Sequence, residues 1–111
     1  KHKALGQLTR LAGSTHQLIS ATALLGPQQE PDPVCEAWLE VAQMTMAPQS
    51  QAALERYVEA DDPSLCAGSY KLEQRGIALF ERIECEDWNA IVGLPLMRLA
   101  QLLRQHGFKT P

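Results

Sequence analysis

The chain has 111 residues, enough for one domain, and its 45% apolar and 21% charged residues are typical of a folded globular protein. Its net charge of −3 leaves no general surplus of lysine and arginine, so we expect neither nucleic acid nor an anionic membrane as a partner. No apolar run approaches the ~18 residues that cross a bilayer, and the first residues lack the apolar core of a signal peptide. We therefore expect a soluble, cytoplasmic protein.

The cysteines and histidines predict no disulfide framework and no metal cluster. Cys35, Cys66 and Cys85 are odd in number, widely spaced and without a C-x-x-C pair, so they encode neither a disulfide set nor a zinc site. Free cysteine behaves as a small apolar residue, and we expect three reduced, mostly buried thiols. The three histidines are equally scattered along the chain.

The first two predicted elements are a helix and a strand. Leucines recur at helical spacing over residues 3–12 until Gly13, which suits the left-handed position just past a helix end. Residues 17–25 alternate as a strand with one mixed face and one apolar face. The apolar face holds Ile19, Ala21, Ala23 and Leu25.

A loop follows, and the element after it is ambiguous. Residues 26–33, GPQQEPDP, have turn and loop chemistry. Read as a helix, the element would have Asp32 as its cap and Pro33 at its first position, and Val34 and Trp38 would lie on one face. Read as a strand, they change the parity of the apolar set at Ala42, as a bulge does. The local pattern slightly favours the helix.

The second half of the chain interleaves helices with one strand. Ser50 is a favourable N-cap for a helix that Asp61-Asp62-Pro63 stops. Residues 77–83 alternate as a strand, and residues 84–89 form a polar turn. Pro95 begins a helix that closes at Gly107. We expect Leu94, Pro95 and Leu96 to be packing residues. The residues that should point inward from this helix are Leu96, Leu99, Leu102 and Leu103. Because helices and strands alternate, the fold class is α/β.

One turn-rich run carries the candidate chemistry. In residues 66–84, CAGSYKLEQRGIALFERIE, the side chains of Ser69, Lys71 and Glu73 lie on one side if the run is extended. A hydroxyl, an ammonium and a carboxylate would then reach a single ligand, so these are the candidate substrate-binding residues. The alternative, which the local pattern alone favours, is a solvated turn whose Lys–Glu pair is worth well under ~1 kcal/mol.

An acidic cluster follows this run. Glu81, Glu84, Glu86 and Asp87 crowd the end of the predicted strand, and carboxylate oxygens are ligands for Mg²⁺. Because these residues spread over both faces of a strand and a turn, we favour a charged edge and assign no metal ligand. The chain also lacks a nucleophile elbow, a phosphate-binding loop, an H-E-x-x-H motif, a Rossmann fingerprint and a calcium loop.

The same residues carry a family resemblance. Residues 66–84, followed by residues 89–107, NAIVGLPLMRLAQLLRQHG, closely resemble the C-terminal part of the Maf family, the septum-formation-inhibitor-like nucleoside triphosphate pyrophosphatases. The likeness extends over LTRLAGSTHQLISATALL and SQAALERYVEADDPSLCAG. We therefore identify residues 1–111 as the C-terminal part of a single Maf-like domain.

The resemblance implies both a fold and an activity. The implied fold is two-lobed, with a mixed sheet flanked by helices and a nucleotide cleft between the lobes. The implied activity is hydrolysis of a nucleoside triphosphate between its α and β phosphates, with a divalent metal, usually Mg²⁺. Relatives also have a strand where this chain has residues 34–46, and we adopt the strand against the local preference.

The turn after Gly68 resembles one branch of the family. Pyrimidine-triphosphate members typically read Gly-Ala-Tyr-x-Ile-Gln-Gly, whereas GSYKLEQ here looks more like the branch that acts on 7-methyl-GTP. The carboxylate of Glu73 can accept hydrogen bonds from the N1–H and amine edge of guanine, and its charge suits the cationic methylated ring. Lys71 and Ser69 are expected at the rim of the cleft.

Two departures from the family pattern qualify these implications. Gln74 stands where relatives usually have glycine, so the turn must avoid a positive φ there or carry strain. The chain also lacks the family's Ser-x-Ser-Pro-Arg-Arg loop, its Asp-Thr aspartate and its Gly-Lys-Pro lysine, so we assign no catalytic residue and expect these residues alone to be inactive. The alternative function is a non-catalytic nucleotide-binding or interaction module, with a possible homodimer.

Overall fold

The computed structural model describes residues 2–110, which form four α-helices, three strands and two 3₁₀ segments. In chain order these are α1 (His2–Leu11), β1 (Thr15–Leu25), β2 (Cys35–Met46), α2 (Gln51–Asp61), the 3₁₀ segments Ala67–Ser69 and Arg75–Leu79, β3 (Phe80–Glu84), α3 (Trp88–Val92) and α4 (Leu96–Gln105). The α/β fold class and the strand in residues 34–46 are confirmed.

The described residues group into two compact units. Unit 1 comprises the residues up to Leu18 together with Gln43–Glu84. Unit 2 comprises Ile19–Ala42 together with the residues from Cys85 onward. The first two strands of the sheet therefore contribute residues to both units.

The strands lie in the order β1-β2-β3, and the β1–β2 pair is an antiparallel hairpin. The Thr15 and Thr45 hydroxyls are 2.9 Å apart at one end, and the Gly26 amide donates to the Val34 carbonyl at the other. Exposed and less exposed positions alternate without interruption along β2. The predicted bulge at Ala42 is therefore absent. The apolar residues change faces at Ala42 while the alternation of exposure along the strand continues.

Unit 1 is built around α1, α2 and the third strand. β3 pairs antiparallel with β2, with a register irregularity between Thr45 and Met46. Ser50 caps α2 by accepting from the Ala53 amide, as the sequence predicts. α1 packs against α2 and the first 3₁₀ segment. The buried apolar side chains of this unit include Leu8, Met44, Met46, Leu54, Val58 and Leu79.

The predicted strand over residues 77–83 is too long at its beginning. Residues Arg75–Leu79 form a 3₁₀ segment, and β3 begins only at Phe80. Ile77, which the alternation assigns to an apolar strand face, is exposed. The turn before this segment closes on the Lys71 carbonyl, which receives the Gly76 amide, so the chain is still turning where the pattern predicts a strand.

Unit 2 contains the two C-terminal helices. Ser20 of β1 donates to the Ala90 carbonyl of α3 across 3.1 Å. Leu102 of α4 is buried as expected, and Leu99 and Leu103 are half-buried. Of the three expected packing residues only Pro95 is buried, since Leu94 and Leu96 are 53% and 49% exposed. The leucine spacing predicted the helix, but the side chains of Leu96 and Met97 in its first turn are exposed.

The structure describes the environment of all three cysteines. The cysteines are free as expected, but the expectation of burial is wrong because Cys35 and Cys85 are exposed and Cys66 is half-buried. Cys35 lies on the outward face of β2, and Cys85 directly follows the end of β3.

Among the residues that the structure describes, no helix combines the length and apolar character needed to cross a bilayer.

Candidate functional site

The candidate site is the run 66–75 in unit 1, which begins with a turn that requires glycine. Gly68 has φ +75°, and a β-carbon there would collide with the ring of Tyr70. Only glycine combines that left-handed conformation with so close a neighbour at little cost. This turn therefore sets the direction in which the chain continues toward the candidate residues Ser69, Lys71 and Glu73.

Ser69 lies inside unit 1. The residue is only 4% exposed, and its hydroxyl donates to the side-chain oxygen of Gln7 in α1 at 2.7 Å. Its backbone is also left-handed, with φ +64°. Ser69 thus joins the run to α1, whereas the family resemblance implied a place at the rim of the cleft.

Tyr70 anchors the run on its other side. Its hydroxyl lies 2.9 Å from His16 Nε2, and its ring meets Phe80 edge-on at 4.8 Å. Burial raises the pKa of Tyr70 to about 12 and lowers the pKa of His16 below its usual value. The sequence reading missed this cluster, because His16 is separated from Tyr70 by more than 50 residues and only the alternation of β1 indicates which way it points.

The next residues form what we call the anchored turn, residues 71–75. The Lys71 amide donates to the Tyr57 hydroxyl at 2.7 Å, and the Lys71 carbonyl accepts from the Gln74 and Gly76 amides. A β-carbon on Gly76 would lie 2.5 Å from that carbonyl oxygen. The turn is therefore closed by backbone bonds and packed too tightly for any larger residue at its exit.

The far end of the anchored turn is held by a buried aspartate. Asp61, whose side chain is fully buried, accepts from the Arg75 amide at 2.9 Å and from the Arg75 guanidinium at 2.7 Å. The Arg75 side chain is 69% exposed, so the guanidinium bridges the buried carboxylate and the solvent. The sequence predicted Asp61 only as part of the stop that ends the helix. No sequence pattern indicated that its carboxylate binds Arg75.

The three candidate residues do not share one extended face. Ser69 is buried, Lys71 is half-buried and Glu73 is exposed within the anchored turn. The condition behind their predicted alternation, an extended run, is not met. Gln74 has φ −121°, so the absence of the family's glycine introduces no left-handed strain.

The acidic residues after the anchored turn do not gather into a cation site. Glu84 pairs with Arg82 at 3.1 Å, and Asp87 accepts from the Asn89 and Met97 amides. Within residues 2–110 no group of three or more His, Cys, Asp or Glu side chains is placed to hold a metal ion. The side chains described here thus form no ready-made cluster for the Mg²⁺ that the resemblance implies.

Asp87 has a structural role, although the sequence predicted it only as part of a polar turn. It caps α3, and its second carboxylate oxygen accepts from the Met97 amide in the first turn of α4 at 2.8 Å. The Met97 amide, followed by the bonds from Asn89, holds the pKa of Asp87 below its usual value. The predicted turn therefore ends at Asp87, where α3 begins.

Known proteins resemble the chain over nearly its whole length. A family profile described as Maf-like protein matches residues 1–106. A protein of Bdellovibrio bacteriovorus named 7-methyl-GTP pyrophosphatase is 41% identical over 101 residues, covering 91% of this chain and 51% of that protein. Proteins of the same name from Vibrio cholerae and Hahella chejuensis are 42% and 36% identical, covering 95% and 100% of this chain.

The chain spans about half the length of the curated relatives it matches, since it covers 53% of the Vibrio protein and 54% of the Hahella protein. The profile match nevertheless extends through both compact units and includes the anchored turn. The resemblance found in residues 66–84 and 89–107 is thereby confirmed, and the chain belongs to the Maf family.

Proposed function

We propose that this chain carries the base-recognition part of a nucleoside triphosphate pyrophosphatase that hydrolyses 7-methyl-GTP to the monophosphate and pyrophosphate. Membership of the Maf family and the name shared by its relatives support this reaction class. The observation that carries the proposal is the carboxylate of Glu73, exposed in a turn whose two ends are fixed to α2.

Glu73 suits the edge of a methylated guanine. An ionised carboxylate only accepts hydrogen bonds, and the N1–H and exocyclic amine of guanine only donate them. The positive charge of the 7-methylated ring strengthens such bonds, because charge-assisted hydrogen bonds are roughly twice as strong as neutral ones. A uracil or thymine offers a carbonyl at the corresponding edge and would face the carboxylate unfavourably.

Lys71 and Ser69 have subsidiary places in this proposal. The half-buried Lys71 supplies an ammonium at the start of the anchored turn, suited to a ring oxygen or a phosphate. Ser69 would contact the nucleotide only if its hydroxyl exchanged its bond to Gln7 for one to the ligand. Glu73 is therefore the principal candidate, followed by Lys71 and then Ser69.

The phosphate chemistry is not assigned to these residues. Mg²⁺ would neutralise charge on the phosphates, but the described side chains form no cluster suited to hold it. The family's aspartate and lysine motifs are also missing from the 111 residues. We propose that this chain selects the base and that other groups act on the phosphates.

Calorimetric titration of the 111-residue chain with 7-methyl-GTP and UTP tests the role of Glu73. We expect tighter binding of 7-methyl-GTP, and we expect Glu73→Gln to reduce the preference about tenfold, because the amide mixes donor and acceptor. Glu81→Gln, which removes the same charge from an exposed position on β3, should leave the preference unchanged. An unchanged preference in Glu73→Gln would remove Glu73 from base selection.

Pyrophosphate release with Mg²⁺ present is the companion measurement. We expect none from the 111 residues with 7-methyl-GTP, GTP, UTP or dTTP. Clear turnover would contradict the division of labour proposed above. The phosphate chemistry would then have to be sought among Lys71, Glu73 and the acidic residues that follow β3.

Self-association is a second candidate function, favoured by a surface of unit 2 that we call the apolar hairpin face. It consists of the outward residues of β1 and β2, namely Ile19, Ala21, Ala23, Leu25, Cys35, Ala37, Leu39 and Val41. All are exposed and none is charged. A hollow of about 370 Å³ lies at the alanines beside Leu39, which is 64% exposed.

We propose a second copy of this chain as the partner of the apolar hairpin face. Projecting leucines beside an alanine hollow can fit the same surface on another copy, and two such faces would bury on the order of 1,000 Å², about the lower limit for a specific interface. Sedimentation equilibrium should show a dimer that Leu39→Lys dissociates. Leu65→Lys, at a fully exposed leucine in unit 1, should leave the dimer intact. A monomeric wild type would rule the interface out.

A further inference from the structure

Two buried residues of α2 reach the two ends of the anchored turn. Tyr57 and Asp61 lie one helical turn apart and therefore on the same face of the helix. The Tyr57 hydroxyl receives the Lys71 amide, and the Asp61 carboxylate receives the Arg75 amide and guanidinium. One helix face thus holds the first and the last residue of the turn that displays Glu73.

The two holding residues are themselves buried in unit 1. Burial is the main cause that raises the pKa of Tyr57 to about 12, so its hydroxyl stays protonated while it accepts from the Lys71 amide. The Asp61 side chain is fully buried and receives two bonds from Arg75. Such bonds hold the turn firmly, because a buried polar group that loses its partner carries the full cost of desolvation.

The backbone between the two ends has little freedom of its own. The Gln74 and Gly76 amides both close on the Lys71 carbonyl, at 3.1 and 2.9 Å. A displacement of either end is consequently passed on to Glu73. Contacts made by a recognition group are sensitive to such shifts, since misplacement by about 1 Å can cost about a hundredfold in the reaction it serves.

We propose that Tyr57 and Asp61 are positioning residues that determine base selectivity by fixing both ends of the anchored turn. This inference rests on the proposed function, because it assigns them an effect on the base contact of Glu73. Neither residue needs to touch the nucleotide. Their contribution is the placement of one carboxylate relative to a rigid helix.

The test compares base selectivity in three variants of the 111-residue chain. Tyr57→Phe removes the acceptor for the Lys71 amide, and Asp61→Asn weakens the hold on Arg75. Glu55→Gln is the matched control, since it removes a carboxylate from the exposed surface of the same helix, where Glu55 accepts from the Gln51 side chain. Calorimetry gives the affinity of each variant for 7-methyl-GTP and for UTP.

We expect the ratio of the two affinities to fall about tenfold in Tyr57→Phe and in Asp61→Asn and to stay at the wild-type value in Glu55→Gln. Loss of folded protein lowers both affinities by the same factor and cancels in the ratio, so a merely structural role would not change it. Tyr57→Phe keeps the buried ring, so the test does not depend on the fold of Asp61→Asn.

The outcomes separate the two proposals. If the wild type and Glu55→Gln discriminate between the nucleotides and both other variants retain that ratio, the positioning role is wrong and the proposed function stands. If the wild type shows no preference for 7-methyl-GTP, the proposed function fails and the positioning role fails with it. A reduced ratio confined to Tyr57→Phe and Asp61→Asn supports both.

Discussion

Each compact unit contains a buried aspartate that holds a turn, and the two aspartates differ in their partners. Asp61 in unit 1 receives the Arg75 amide and a charged guanidinium. Among the described residues, Asp87 in unit 2 receives neutral donors, from Asn89 and Met97. Buried carboxylates are tolerated only when hydrogen bonds replace their lost water, and the two units meet that requirement differently.

The reach of the two aspartates differs as well. Asp61 and Arg75 are 14 residues apart, so their bonds fix a distant turn to a helix. Asp87 is two residues from Asn89 and ten from Met97, so its bonds join neighbouring helices. The same side chain therefore serves the candidate site in unit 1 and local helix geometry in unit 2.

The largest expected effect concerns the tight exit of the turn that Asp61 holds. Gly76→Ala would place a β-carbon 2.5 Å from the Lys71 carbonyl oxygen, which is backbone and cannot rotate away. We expect a loss of about 3 kcal/mol in the free energy of unfolding, measured by urea denaturation.

Gly6→Ala is the matched control for this substitution. Gly6 lies within α1, and nothing stands within 4 Å of a β-carbon built there. Alanine should therefore raise the free energy of unfolding by about 0.8 kcal/mol, in line with its better helix propensity. A neutral or stabilising effect of Gly76→Ala would show that the exit of the anchored turn is looser than its geometry indicates.

The second effect distinguishes Asp61 from an ordinary surface carboxylate. Asp61→Ala leaves the Arg75 amide without its acceptor, and we expect a loss of about 2 kcal/mol in the free energy of unfolding. The exposed Arg75 guanidinium stays hydrated, which keeps the cost below that of a fully buried unpaired charge. Glu55→Ala on the same helix should change stability by less than about 0.5 kcal/mol. A similar loss in both variants would contradict the special role of Asp61.

The fold was more predictable from the sequence than its details, and the reasons are physical. The N-cap of α2 and the glycine after α1 act locally, so residues 50 and 13 could be interpreted alone. β2 could not, because its apolar residues change face at Ala42 and the family resemblance was needed to choose the strand. α3 was missed although its cap is local, with Asp87 accepting from the Asn89 amide, because five residues are too few to show a helical period.

The candidate site was located in the sequence, but its construction was not. The run around Glu73 could be singled out from its residue types and its resemblance to the family. The run is held by Tyr57 and Asp61. The sequence placed Tyr57 on the apolar stripe of a helix and Asp61 in the stop that ends that helix. Hydrogen bonds between residues 14 positions apart depend on the tertiary fold, which local periodicity does not encode.

A smaller effect sharpens the difference between the two units at high pH. The pKa of Tyr57 is raised to about 12, chiefly by burial, against an ordinary value of 10.0. Its contribution to stability is fully present below pH 10 and is lost as the pH rises toward 12, because the unfolded chain ionises first. Tyr57→Phe should make the free energy of unfolding less dependent on pH in this window. Tyr70, whose pKa is also about 12, should contribute a further part of this dependence, and Tyr70→Phe should reduce it separately.

The smallest expected effect belongs to Asp87 and appears in acid. The Met97 amide, with the bonds from Asn89, lowers the pKa of Asp87 from its ordinary value of 3.8. The native chain therefore binds this proton less readily than the unfolded chain, so the contribution of Asp87 is present above pH 3.8 and is lost as the pH falls through the lowered pKa. Amide hydrogen exchange in acid should show protection lost at Met97, where a protonated carboxyl is a poorer acceptor. Asp87→Asn should reduce the acid dependence of the free energy of unfolding, and identical pH slopes in wild type and variant would mean that other carboxyl groups govern the acid response.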